Sequence, residues 1–361
     1  MALKLEIGMY DEAARRGKSF GEWLETYRVE KGEKPSEYFG LTNYERELKR
    51  LAYMRKGEEP PLTAFEMELE ANDIKAFGLF TDRVEKFFQT ADTSVLFPEF
   101  IANRVYAGAL QASIVPEFVA VTSVITGLDF RKLYLEDTQA SRELKRAARG
   151  TEFPETQIKA GKQNIALAKY GRAILFDYEV VYSTPINIYA VALQRIGKQI
   201  GLDESDALIY ALLNGDGNAN GLEAEQTKQT ATSGAIVKKD IITFAAALPQ
   251  PYSLNKFVGV KSKMVDYWDA LSNMQNPVAQ WGQTGMTLPR GFEWDRSIAP
   301  SDKLIGVDAS QAIGYVTNDA MNLTETERII AKQQVRTVIS KRSGFDIIDP
   351  DAIGCLEIDH A

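Results

Sequence analysis

The chain has 361 residues, with 42 Lys and Arg against 50 Asp and Glu, a formal net charge of −8, and one Cys and one His in all. At roughly 150 residues per domain the length allows two to three domains, and 45% hydrophobic with 25% charged residues excludes global disorder. The scarcity of His and Cys excludes multi-ligand zinc sites, Cys-x-x-Cys redox pairs and Fe–S clusters, and the acidic balance argues against a dedicated nucleic-acid reader.

A Ser-His-Asp or Cys-His site would have to use His360, next to the C-terminus, where chains are commonly loose. No apolar run approaches the roughly 18 residues of a membrane span, and the N-terminus lacks a signal peptide's apolar core. With Cys355 alone, a soluble protein of a reducing cytoplasm is expected.

Of the first 90 residues 33 are charged, against 59 of the remaining 271, so the chain opens with a polar, mixed-charge segment. Within it 44–56 reads as a helix with Leu48, Leu51 and Met54 on one side. Pro60-Pro61 breaks the chain. Thr63 and Glu66 form a capping box, opening a helix with Phe65, Leu69 and Phe77 that is expected to end at Gly78. Such a segment buries little by itself and reads as an arm that packs on something else, another subunit included.

The body starts near Ala91. Pro98 suits the first turn of a helix to about Gln111, with Ile101, Val105 and Leu110 facing inward. The stretch 115–129 is β-rich, 130–135 is a further strand candidate, and 141–150 is a small charged insert. Strand character resumes at Ile165, and Ile174, Phe176, Tyr178, Val180 and Tyr182 keep a period of two. The segment 128–175 therefore reads as a long hairpin with a polar tip. Thr184-Pro185 then opens a helical stretch to Leu213, its spacing carried by Ile186, Tyr189, Leu193, Ile196 and Ile200. If continuous it spans about 45 Å, though Gly201 with Asp203 could kink it. After Asn214-Gly-Asp-Gly217 comes an α/β unit, with helices over 240–247 and 262–271 and strands over 255–261, 303–307 and 313–316. Strand pattern returns over 329–339, 345–348 and 354–358.

Several motifs invite chemistry. Gly17-Lys-Ser-Phe-Gly21 matches the nucleophile-elbow string, but an elbow needs a strand before it and a histidine downstream. Charged residues precede it, so it reads as a solvated loop. Asp216, Asn218, Asn220 and Gly221 copy the start of a calcium loop, yet Thr227 stands where a bidentate Glu is required. A Gly/Asn connector ending the long helix fits better. Arg142, Lys145, Arg146 and Arg149 would share one helix face and read as a solvated tip or as a docking tip for an acidic patch on a neighbouring subunit. Asp203, Glu204 and Asp206 read as exposed carboxylates at a helix start, favoured by the helix dipole. No catalytic, cofactor-binding or metal-ligating residue is expected.

The order of parts, with the stretches Tyr170-Gly-Arg-Ala-Ile-Leu-Phe-Asp-Tyr178, Leu213-Asn-Gly-Asp-Gly217 and Arg342-Ser-Gly-Phe-Asp-Ile-Ile-Asp-Pro-Asp-Ala352, resembles the major capsid proteins of tailed bacteriophages, with the Hong Kong 97-type fold. The resemblance covers about 90–361. It implies an α+β fold with an N-terminal arm over 1–95 (scaffold-like and cleaved in some members), an E-loop over 128–172 lying on a neighbour, and an axial domain over 226–312. The peripheral domain would comprise 96–127, 173–225 and 313–361. It further implies a homo-oligomer of hexamers and pentamers, an icosahedral head enclosing double-stranded DNA without reading its sequence. Portal and scaffolding or cement proteins would be partners, with no cofactor and no membrane. The location implied is the virion capsid, assembled in the host cytoplasm. Lys145, Lys159 and Lys162 do not align with the lysine that some members cross-link, so no isopeptide bond is expected. The nearest alternative is an encapsulin-type nanocompartment shell; an enzyme with an unrecognised carboxylate site is the alternative of another class.

Overall fold

The computed structural model describes residues 3–78, 80–125, 127, 129–135, 158–177, 179, 183–217, 227–249, 252–272, 290–296, 302–318 and 324–360. Helix α1 (Gly8–Arg15) is followed by α2 (Phe20–Glu30), α3 (Asn43–Lys56) and α4 (Ala64–Ala71). The last three begin where a hydroxyl can satisfy an orphan amide. Ser19, Thr42 and Thr63 accept from the backbone N–H of Glu22, Glu45 and Glu66. The elbow-like string is therefore a helix cap, with Ser19 as the capping residue. Helix α4 stops seven residues before Gly78. Asn72 Nδ2 donates to the Glu68 carbonyl at 2.8 Å, Asp73 takes a φ of 54°, and the Ile74 amide closes on the Leu69 carbonyl at 2.9 Å. That left-handed closure ends the helix as a glycine would.

The opening segment does not lack a core. Phe20, Trp23, Leu24, Phe65, Leu69 and Phe87 join Leu96, Phe97, Phe100 and Ile101 of α5 (Ala91–Ala112) in one buried cluster. Tyr10, Phe20, Trp23 and Tyr27 stack in series, with centroids 4.1, 5.9 and 4.6 Å apart. The expected arm thus packs on its own chain. Its charge density reflects a solvated outer face, while a few aromatic side chains supply the burial. Helix α5 also starts earlier than expected, because the Thr90 hydroxyl accepts from the Thr93 amide. Pro98 lies inside it, where the missing donor costs one i→i−4 bond while Val95, Leu96, Phe97 and Phe100 are buried around it.

One helical turn, α6 (Val115–Phe118), and strand β1 (Val121–Val124) occupy the segment read as continuously β-rich. Strands β2 (Asp129–Leu135) and β3 (Ile158–Ala166) form an antiparallel hairpin, from Asp129 opposite Ala166 to Leu135 opposite Ile158. Strand β4 (Ala168–Asp177) follows, then α7 (Ile186–Asn214), the spine helix. Its 29 residues span about 44 Å without interruption. Gly201 does not kink it; it faces α5 instead. The second half contains β5 (Thr227–Gln229), α8 (Lys238–Ala245), β6 (Lys256–Gly259), α9 (Lys261–Ser272), β7 (Arg290–Glu293) and β8 (Lys303–Val307). It ends with β9 (Ile313–Thr317), β10 (Thr324–Ile329), β11 (Gln334–Ile347) and β12 (Ile353–Glu357).

Two mixed sheets result, each with helices against it, so the class is α+β. The first runs β1-β9-β11-β10, with β4 along the other side of β11. The second runs β5-β12-β8-β6-β7. Two expectations change here. Residues 329–339 and 345–348 were two strands in the sequence, but β11 is continuous across the polar Ser340–Gly344 stretch, with Lys341 and Ser343 facing inward. The range 313–361 also divides. Strand β12 sits between β5 and β8 in the second sheet, because its apolar run supplies the buried centre on which the flanking strands pair. The three residues Leu208, Ile305 and Phe345 belong to a core shared by the spine and both sheets.

Candidate subunit-contact surface

The basic residues Arg142, Lys145, Arg146 and Arg149 lie outside the described residues. Their stem does not. Among the described residues β2 pairs only with β3, and the pairing shifts between Arg131 and Leu133, a bulge that bends and twists the ribbon. The hairpin runs directly into β4, whose ten residues from Ala168 to Asp177 pair with Gln334 to Ser343 of β11. The excursion therefore leads into a strand that is held along its whole length by β11, the longest strand of the first sheet.

Of the calcium-like loop, Asn218, Asn220 and Gly221 lie outside the described residues. Asp216 Oδ2 accepts the Ile347 amide at 3.1 Å, so its carboxylate pins the end of the spine to β11. Among the described residues no group of three His, Cys, Asp or Glu is placed to hold a metal ion, and no helix is long and apolar enough to cross a membrane. His360 is not loose. Its Nε2 lies 2.8 Å from the Thr230 carbonyl, and its amide donates to Ser233 Oγ at 3.0 Å. Cys355 is buried, and burial pushes its thiol up to about 12, which keeps it from being a nucleophile at neutral pH.

The acidic trio is the largest departure from expectation. Asp203, Glu204 and Asp206 lie in the middle of the spine, not at a helix start, and they do not act together. Asp203 and Asp206 face outward and hold Arg296 at 2.8 and 3.1 Å, with Asp206 also accepting Trp294 Nε1 at 2.7 Å. Glu204 faces inward, is 4% exposed, and accepts from Tyr315, Lys341 and Ser343. Buried carboxylates need such partners, and here they come from β9 and β11. The sequence held no signal for this pairing, since the partners are more than a hundred residues away.

A second polar tie joins elements of both halves. Glu117 on α6 meets Lys256 on β6 at 2.9 Å, Arg290 on β7 at 3.0 Å and Arg55 on α3 at 3.9 Å. Burial alone would raise its carboxyl, but Lys256, Arg290 and Arg55 outweigh that and hold it below the usual range. A carboxyl with a depressed folded value adds stability above its unfolded value of 4.5 and loses it as pH falls through the folded value. Glu117→Gln is expected to cost about 1–2 kcal/mol at pH 7 and to flatten the acid limb of stability. Urea titrations at neutral and acid pH check this; an equal loss at both would refute the ionic role.

Several apolar side chains remain uncovered on separate faces: Ile188, Val191 and Tyr210 along the spine, Val265 and Trp268 on α9, and Val121 on β1. With reactive groups buried or paired among the described residues, the chemistry on display is that of contact surfaces: a projecting hairpin, open sheet edges and uncovered apolar faces.

The chain belongs to the phage capsid family, whose model matches residues 93–358. It is a major capsid protein, a subunit of a phage shell. Solved structures similar to it include the capsid of a native GTA particle, at 15% identity, covering 68% of this chain and 90% of that one with a TM-score of 0.47. Microbacterium phage Oxtober96 is similar at 10% identity, 69% and 91% coverage and a TM-score of 0.47. An encapsulin complex from Synechococcus elongatus is similar at 12% identity, 66% and 85% coverage and a TM-score of 0.44. No curated protein matches the sequence. The family assignment rests on the match over 93–358.

Proposed function

We propose that this subunit assembles as hexamers and pentamers into an icosahedral head that encloses double-stranded DNA without reading its sequence, and that it catalyses no reaction. The observation that carries this is the β2–β3 hairpin. A lone two-stranded ribbon is marginal in water, so it calls for a second surface, and the four basic residues Arg142, Lys145, Arg146 and Arg149 belong to the segment that joins its strands. That segment, the E-loop over 128–172, docks on an acidic patch of a neighbouring subunit. The unit around 226–312, with β12 paired into its sheet, faces the centres of the rings as an axial domain, and the remaining body forms the peripheral domain. Portal and scaffolding or cement proteins complete the particle, which assembles in the host cytoplasm. A net charge of −8 suits a shell that contains DNA rather than attracting it.

Negative-stain microscopy of purified protein is the test: closed shells, ring-shaped oligomers or tubes are expected, and a monomer in light scattering overturns the reading. Shells carrying protein cargo and no DNA would favour a nanocompartment. Reversing Arg142, Lys145, Arg146 and Arg149 to Glu is expected to leave the subunit folded and to cut shell yield at least tenfold (about 1.4 kcal/mol per contact). Normal shells from that variant would defeat the docking role.

A further inference from the structure

Between α3, α4 and α5 lies a cavity of about 240 Å³ whose walls carry Arg46, Arg50 and Arg104 together with Glu47, Glu66 and Asn103. The three arginines are not equally engaged. Arg50 is held by Glu66 through two bonds of 2.8 Å. Arg46 bonds Asn43 and Asn103 at 2.6 and 3.1 Å and has Glu99 at 3.9 Å, outside hydrogen-bond reach, while its Nε is buried without a partner. Arg104 lies over the rings of Phe77 and Phe100 at 4.4 and 5.6 Å, and among the described residues no carboxylate reaches its guanidinium.

The neighbouring acids do not make up the difference. Glu66 is committed to Arg50 and to the Thr63 cap. Burial pushes both Glu47 and Glu99 above the usual carboxylate range, toward the neutral acid. Burial also lowers Arg104, with Arg50 adding to the effect, and the attraction of Glu66 and Glu47 offsets only part of it. Water can satisfy the N–H groups of such a cavity but cannot supply the missing charge. A guanidinium presents a planar fork that fits two oxygens of one anion, and Gln111 and Gln194 on the same wall add amide donors.

We propose that this cavity is a binding site for a small multivalent oxyanion, inorganic phosphate being its simplest occupant. The bound anion bridges Arg104 and Arg46 and so fastens α3 onto α5. The cavity is too small for a nucleotide and too charged for an apolar ligand. The proposal is independent of how subunits meet, because every residue in it comes from one chain.

The test is a titration of the full chain with sodium phosphate against sodium chloride at matched ionic strength and neutral pH, reading thermal midpoint and amide exchange over 43–56 and 91–112. Phosphate at ~20 mM is expected to raise the midpoint by about 2–4 °C beyond chloride and to slow exchange in both helices. Arg104→Gln removes the fork and Ala107→Leu fills the cavity without touching a charge; each is expected to abolish the phosphate-specific shift. No such shift in the wild type, or its survival in either variant that still unfolds cooperatively, overturns the site. Should both variants fail to fold, calorimetry of the wild type decides: about one phosphate per chain upholds the site, and a flat titration overturns it.

Discussion

Replacing Gly201 with alanine is expected to destabilise the subunit by about 3 kcal/mol or more and to lower its thermal midpoint by roughly 4 °C or more. At an exposed helix position the same change would help by about 1 kcal/mol. Here a Cβ would stand 2.1 Å from the Ala109 carbonyl oxygen, and one on Gly197 would stand 2.0 Å from that of Val105. From the other side, a Cβ on Gly108 would meet the Gln194 carbonyl oxygen at 2.3 Å. All three obstacles are main chain, which cannot swing aside as a side chain does. The two longest helices would have to part along their whole shared face, opening voids around Ile101, Val105 and Leu193, which that face buries. Gly8→Ala is the control, since nothing lies within 4 Å of its Cβ position; it should leave the midpoint unchanged or raise it. A Gly201→Ala protein as stable as wild type would mean that the helices do not cross as closely as these distances require. Shell yield should fall with stability, because the crossing forms the body on which both sheets rest.

The parts legible in the sequence are those whose cause is local. The Thr63–Glu66 box names its own helix start, and the spacing of Ile186, Tyr189 and Leu193 gives the spine. Gly197 and Gly201 are four apart on that helix, a small-residue spacing that signals close approach and could have marked the crossing. What stayed hidden is what depends on distant partners. Charge density made 1–90 look like an arm, because a count of charges reports the solvated face and not the few aromatic residues beneath it. Strand β11 looked broken at Ser340–Gly344, because a polar stretch reads as a turn unless its buried partner is known. Strand β12 was assigned by order along the chain, whereas its place is set by pairing with β5 and β8. Of the candidate contact surface, the hairpin stem was visible as two β-rich runs, and the Glu117 node was not visible at all: its partners are Arg55, Lys256 and Arg290.

Glu204→Gln and Lys341→Met are each expected to cost about 3–5 kcal/mol, the range for breaking a buried, hydrogen-bonded ion pair. Lys341 Nζ lies 2.9 and 3.0 Å from the two carboxylate oxygens of Glu204. Tyr315 and Ser343 donate to the same carboxylate at 2.7 and 2.9 Å. The ammonium also faces the rings of Tyr106 and Tyr315 at 5.5 and 5.4 Å, so it too is withdrawn from water. Removing either charge strands the other in a place that cannot rehydrate. Removing both leaves no stranded charge, so the double variant Glu204→Gln with Lys341→Met should recover at least half of the summed loss. Urea unfolding of the two single variants and the double variant gives the coupling directly, and strictly additive losses would show that the pair is not a unit. The consequence reaches the shell as well as the subunit. Glu204 binds the spine to β11, and β11 carries β4, from which the hairpin emerges. Both single variants should therefore show faster amide exchange in β4 than in β6 or β8 of the second sheet, and should lose shell yield at temperatures where the isolated subunit is still folded.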